Sequence, residues 1–252
     1  MKTKNLVLAA IALAATFQTA NAQFSARLDV GYGFPSETQA TQATTDANGN
    51  TKIMPYSYGQ GFNLALAGNY MFNDNIGAGL DLNMLFGTPT TLTTVSGGIT
   101  GTEKMTGSLF AITPNLILSA HKEGINPYGR FGIVLGVASE TQTITASGTG
   151  APSGSNINVY SGNLAFGWYA AFGVQFPLSD NLKLDVELFD RNVTYAPSTL
   201  TNTQAFDGAQ KADTQTLVTS KSSNASANTQ LTSYDPFSSV GLKVGIEMSF
   251  GK

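Results

Sequence analysis

The last strand-length run of the chain, Val240-Gly-Leu-Lys-Val-Gly-Ile-Glu-Met-Ser-Phe250, is the strongest constraint on its fold. Val240, Leu242, Val244, Ile246, Met248 and Phe250 share one parity. Gly241, Lys243, Gly245, Glu247 and Ser249 share the other. Successive side chains of a β-strand point to opposite faces, so the run carries one wholly apolar face and one small or charged face. A helix would mix the two sets around its axis.

Seven earlier segments repeat the pattern. They are Phe24–Phe34, Tyr58–Phe72, Ile76–Phe86, Ser108–Ser119, Tyr128–Ala138, Asn163–Phe176 and Leu182–Tyr195. With the closing run they make eight, an even number. Ser108–Ser119 is the least regular: Leu109 and Ile117 fall on the wrong parity and Pro114 lacks a ladder donor, which predicts a bulge there. Connections alternate in length. Asn73–Asn75, Ala120–Asn126 and Pro177–Asn181 are short; Ser36–Ser57, Thr88–Thr106, Ser139–Ser161 and Ala196–Asp235 are long and rich in Thr, Ser, Asn, Gln and Gly. The longest, Ala196–Asp235, reads as a mobile, solvated loop, with an adhesive or receptor surface as the alternative.

Facing is decided by volume. A lumen of about eight strands has room only for side chains that fill it, and the Phe, Trp, Leu and Ile set would overfill it. The apolar face therefore points outward into lipid and the Gly, Ala, Ser and Asn face inward. The fold expected is all-β: a transmembrane, up-and-down antiparallel β-barrel of eight strands, with short periplasmic turns and long extracellular loops. Aromatics fall near predicted strand ends, as rings do at lipid–water interfaces. Phe24, Tyr70, Phe72, Tyr128, Phe176 and Phe250 are assigned to the periplasmic belt; Tyr32, Phe34, Tyr58, Phe86, Phe110 and Trp168 to the outer one.

The N-terminus fits export. Lys2 and Lys4, the apolar stretch Leu6–Ala15 and Ala20-Asn21-Ala22 read as a signal peptide over residues 1–22, cut before Gln23, which leaves 23–252 as one barrel domain in the bacterial outer membrane. Loss of Lys2 and Lys4 takes the 13 Lys+Arg to 11 against 16 Asp+Glu, a net charge of about −5 that argues against a nucleic-acid partner. Charged residues are only 12% of the chain, which suits a wall whose outside is not water.

Phe110-Ala-Ile-Thr-Pro-Asn-Leu-Ile-Leu118, Asn126-Pro-Tyr-Gly-Arg-Phe-Gly132 and Gly241–Phe250 resemble inner strands and the closing signal of the small outer-membrane β-barrel family, the proteins similar to the barrel domain of outer membrane protein A. These motifs mark a fold and no activity. In the family the chain usually ends on the aromatic; here Gly251-Lys252 follow Phe250. The resemblance implies outer-membrane lipid, lipopolysaccharide and the barrel-insertion machinery, through the C-terminal strand, as partners. It does not carry over the peptidoglycan-binding role of a periplasmic domain.

The charges left for the lumen are Arg27 and Asp29 on the first strand, Lys183, Asp185, Glu187 and Arg191 on the seventh, and Lys243 and Glu247 on the eighth. Closure makes these strands neighbours and gathers one mixed-sign patch, with Asp81 and Arg130 on the far wall. Interleaved signs favour a salt-bridged plug, and hence a structural or surface-interaction protein; the alternative is a narrow, porin-like passage for small solutes. No enzyme is expected. The one histidine, His121, falls in a periplasmic turn; Asp185 and Glu187 are flanked by Lys and Arg; cysteine is absent. No metal or cofactor is expected, and nothing in the long loops selects a partner.

Overall fold

The computed structural model describes residues 23–36, 39–46, 48–120, 124–206, 213–218 and 229–250. The expected signal peptide 1–22, His121 and the Gly251-Lys252 extension lie outside the described residues. Eight antiparallel strands close a barrel: β1 (Gln23–Pro35), β2 (Gly61–Met71), β3 (Ile76–Gly87), β4 (Ile99–Ser119), β5 (Asn126–Ser147), β6 (Ala165–Pro177), β7 (Leu182–Tyr195) and β8 (Ser239–Phe250). Each pairs with the next, and β8 closes on β1 from Phe24↔Phe250 to Pro35↔Ser239.

The stagger can be followed through the pairs. Ser25 faces Asn69, then Gly79, Asn115, Gly132, Tyr169, Arg191 and Ser239, and the circuit returns to β1 at Pro35, ten residues on. Such a shear in eight strands tilts them by roughly 40° and leaves a lumen that side chains fill.

Alternation holds along every wall. Leu28, Leu66, Leu80, Phe131, Phe172, Leu188 and Leu242 point outward and are exposed, Leu188 to 54%. A continuous apolar belt of this kind is unfavourable in water and stable in a bilayer. No described helix is long and apolar enough to cross a membrane. Phe34, Phe62, Phe86, Phe110, Phe166 and Trp168 ring the outer rim, and Phe24, Tyr70, Phe72 and Phe250 the periplasmic rim, with the Phe24 and Phe250 rings 5.9 Å apart.

Three expectations are corrected. Pro114 causes no bulge: one register runs from Ser119↔Tyr128 to Thr100↔Ser147, and only the rungs on the β5 side between Ile112↔Leu135 and Asn115↔Gly132 are missing. Leu109 and Ile117 are lumen residues, both buried. The long connections are not simple solvated loops. β4 and β5 run on past the lipid-facing Phe110 and Val137, and Thr90–Ser96, Ser155–Ser161, Thr199–Gln204 and Asp213–Val218 extend them into an extracellular sheet. Their threonines read as polar loop by composition, but a β-branched residue suits a strand.

Candidate functional site

The lumen has two storeys, and the lower one is ionic. Arg27, only 1% exposed, projects from β1 into its centre. Its Nη1 donates to the Tyr128 hydroxyl (2.7 Å), Asp185 Oδ1 (3.0 Å) and Glu187 Oε2 (3.0 Å), and its Nε lies 3.0 Å from Asp29 Oδ2. The Tyr128 hydroxyl stands 2.8 Å from Asp185 Oδ1 and 2.9 Å from Glu187 Oε2. Arg130 forks onto Asp81 with Nη2–Oδ1 at 2.9 Å and Nη1–Oδ2 at 3.1 Å, a bidentate geometry only arginine offers.

Asp81 and Arg130 do not form a separate wall. Arg130 Nη1 comes within 3.7 Å of Glu187, and Arg27 Nη2 within 3.9 Å of Asp81, so one network crosses the barrel. Lys243 joins it through Glu187 (3.6 Å) and donates to the Tyr169 hydroxyl (2.8 Å), which in turn hydrogen-bonds Glu187. The Lys243 ammonium also sits 4.6 Å from the Tyr169 ring centre and 4.8 Å from that of Phe189. At the periplasmic end Glu247 accepts from Gln175 (3.0 Å) and Asn69 (3.2 Å) and lies 3.8 Å from the half-buried Lys183.

Arg191 stands apart from the patch assigned to it. Its guanidinium donates to Asn63 (3.0 Å), Asn83 (3.2 Å), Ser239 Oγ (3.0 Å) and Gly59 O (3.4 Å), neutral acceptors above the ionic layer. The upper storey over it is apolar: Leu85, Leu109, Phe189, Val193, Tyr195, Tyr58 and Phe237 are buried together. Residues 56–59 and 235–238 fold into the outer mouth. Phe237 N donates to Val193 O (2.8 Å), Tyr58 N to Pro236 O (2.9 Å), and Ser57 Oγ to Pro236 O (3.0 Å) and Ser238 O (2.7 Å). Phe237 stacks on Tyr58 at 5.4 Å.

Little space remains. A cavity of about 60 Å³ opens among Arg27, Asn69, Arg130 and Lys183 at the periplasmic end, and one of about 10 Å³ lies between Arg191, Lys243 and Asp81. The second is about the room of one water molecule. Among the described residues no three His, Cys, Asp or Glu side chains gather to hold a metal ion.

The model of the outer membrane protein beta-barrel domain matches residues 6–222. The chain belongs to that family. As a member of this outer-membrane barrel family, it resides in the bacterial outer membrane. No curated protein matches it in sequence. Among solved structures it is similar to a major outer membrane protein from Thermus thermophilus, at 12% identity and TM-score 0.52, covering 91% of this chain and 99% of that one. OprG from Pseudomonas aeruginosa is 12% identical with TM-score 0.42 (91% and 96% covered), and Ail of Yersinia pestis 15% identical with TM-score 0.36 (90% and 98% covered). At such identities the likeness is one of fold.

For a barrel of this family, two aromatic assignments need correction. Tyr128 is not in the periplasmic belt; it is 5% exposed inside the lumen, on Arg27. Tyr58 is likewise buried, under Phe237, and not in the outer belt. Phe176 and Trp168 stay on the outer surface, Trp168 with its ring stacked on Phe131. Residues not singled out by sequence are Tyr128 and Tyr169 as lumen hydroxyls, the amides Asn69, Asn63 and Gln175, and the pair Glu140 and Asp235. Parity held a signal for several: Tyr128 and Glu140 share the parity of Arg130, and Tyr169 opposes Trp168.

Proposed function

We propose that this barrel is a structural and surface-displaying element of the outer membrane, its lumen closed by the salt-bridge network. The observation that carries this is the wall-to-wall contact: Arg27, Asp29, Asp81, Arg130, Asp185, Glu187 and Lys243 link β1, β3, β5, β7 and β8 across the axis. The outer mouth is sealed again by residues 56–59 and 235–238. Charges of opposite sign packed this closely across the axis hold the walls together and narrow any path through the lumen. In this reading residues 1–22 are removed on export, the C-terminal strand ending at Phe250 is what the insertion machinery recognises, and lipid and lipopolysaccharide surround the wall. The extracellular sheet is the part offered to a partner.

Planar-bilayer recording tests it. The wild type is expected to show no steady single-channel current. A steady current that changes on substitution of Arg27, Glu187 or Lys243 would overturn the plug and make the lumen a narrow solute channel.

A further inference from the structure

The lower lumen balances its signs; the outer mouth does not. Glu140 lies on β5 three residues beyond Val137, the last exposed apolar residue of that strand, and so above the bilayer. It is 2% exposed, and Asp235, on the inward-folded strap 235–238, is 5% exposed. The two carboxyl groups come within hydrogen-bonding reach of each other. Two carboxylate oxygens both accept, so that contact needs a proton between them.

Among the described residues, the groups facing the pair are tyrosines and a further acid. From residues 56–59 comes Tyr58, hydrogen-bonded to Glu140; from Ser155–Ser161 comes Tyr160, paired opposite it; from β7 comes Tyr195, paired with Asp235; and Glu103 of β4 acts on Tyr160. Asp235 takes a further hydrogen bond from Ser233 Oγ at 2.6 Å. No ion pair among the described residues includes either carboxyl, and Glu140 Oε1 and the Tyr195 hydroxyl are buried without a partner. Across the β4–β5 ladder from Glu140 is Gly107, where an added Cβ would come 2.8 Å from Tyr58 and 2.9 Å from the Phe237 ring. The pair is therefore next to the stack that closes the mouth.

We propose that Glu140 and Asp235 form a proton-held latch that keeps the strap 235–238 folded into the outer mouth and releases it when the shared proton is lost to solvent. With both groups ionised, two negative charges meet in a buried site, and the strap is the movable partner because Asp235 lies on it. Burial, then the Asp235 charge, pushes the Glu140 carboxyl up to about 9, and burial raises that of Asp235. The sign follows. The closed mouth binds the proton more tightly than the open one, so closure is firmest below the ordinary carboxyl range. It weakens about tenfold in closed-to-open ratio per unit of pH above that, and levels off beyond about 9.

The test uses the full barrel in lipid vesicles with a spin label on Tyr234→Cys, a half-exposed site beside the strap in a chain free of other cysteines. The expected wild-type result is an immobile label at pH 5 and a mobile fraction that grows with pH and levels off beyond about 9. Glu140→Gln and Asp235→Asn, each of which keeps a hydrogen bond without the second charge, are expected to hold the label immobile throughout. Gly107→Leu, which takes the space of Tyr58 and Phe237, is expected to leave it mobile at every pH. A wild-type spectrum that does not change between pH 5 and 10.5, or a transition unaltered in both Glu140→Gln and Asp235→Asn, overturns the latch. So does a transition that moves with added Ca²⁺ or with chelator, which would put a metal ion where the proton is placed.

Discussion

Arg27→Met lowers the unfolding free energy of the barrel by about 3–5 kcal/mol. The reason is the set of groups left behind. Asp29, Asp185 and Glu187 are each at most 1% exposed and within 3.0 Å of the guanidinium; with a methionine in its place, three buried carboxylates face one another. Methionine fills much of the stem volume, so the loss reports charge and not a cavity. Urea titration in lipid vesicles, followed by the single tryptophan, Trp168, reads the change directly. The pair Arg27→Met with Glu187→Leu is expected to cost less than the two single losses together, by about 0.5–3 kcal/mol, because the two groups share a network. A single-substitution loss below about 1 kcal/mol would mean that water reaches the site and that the plug is not a sealed one.

Leu188→Arg costs about 2–4 kcal/mol, the penalty for a cation at mid-bilayer depth on a barrel wall. Leu188 is 54% exposed, faces lipid, and is paired with Phe172 and Leu242, both apolar and exposed, midway between the two aromatic rims. Leu184 on the same strand is paired with Phe176 near the periplasmic end. There the cation reaches the interface, and Leu184→Arg costs only about 0–1 kcal/mol. The same titration checks both. Equal losses at the two positions would remove the depth gradient and, with it, the membrane placement of β7.

The walls were legible because alternation is local. Every barrel strand declared itself over a short run of residues, and its parity separated lipid from lumen. Contacts across the lumen were less legible, since they depend on a stagger that no single strand encodes. Arg27 and Glu187 are 160 residues apart, and only the ten-residue climb around the barrel brings them level. Arg191 shows the converse: two steps of alternation from Glu187, it is lifted out of the ionic layer to Asn63 and Asn83. At Tyr128 residue type and parity point to different faces, and parity is the better guide. An aromatic near a strand end suggests a belt, yet Tyr128 alternates with Phe131 and points inward. The extracellular strands were hidden by composition, because serine, threonine and asparagine describe a solvated strand and a solvated loop equally well.

The continuity of β4 and β5 has a mechanical consequence. A ligand that grips the tip of an ordinary loop pulls on a tether, and the tether slackens or unravels first. Here the ladder runs without a shift of register from Ser119↔Tyr128 near the periplasm to Thr100↔Ser147 at the outer tip. A pull on that tip loads many backbone hydrogen bonds together, in shear, and passes into the barrel wall. The projection is a mast stepped through the membrane, and any load on it is borne by the barrel wall.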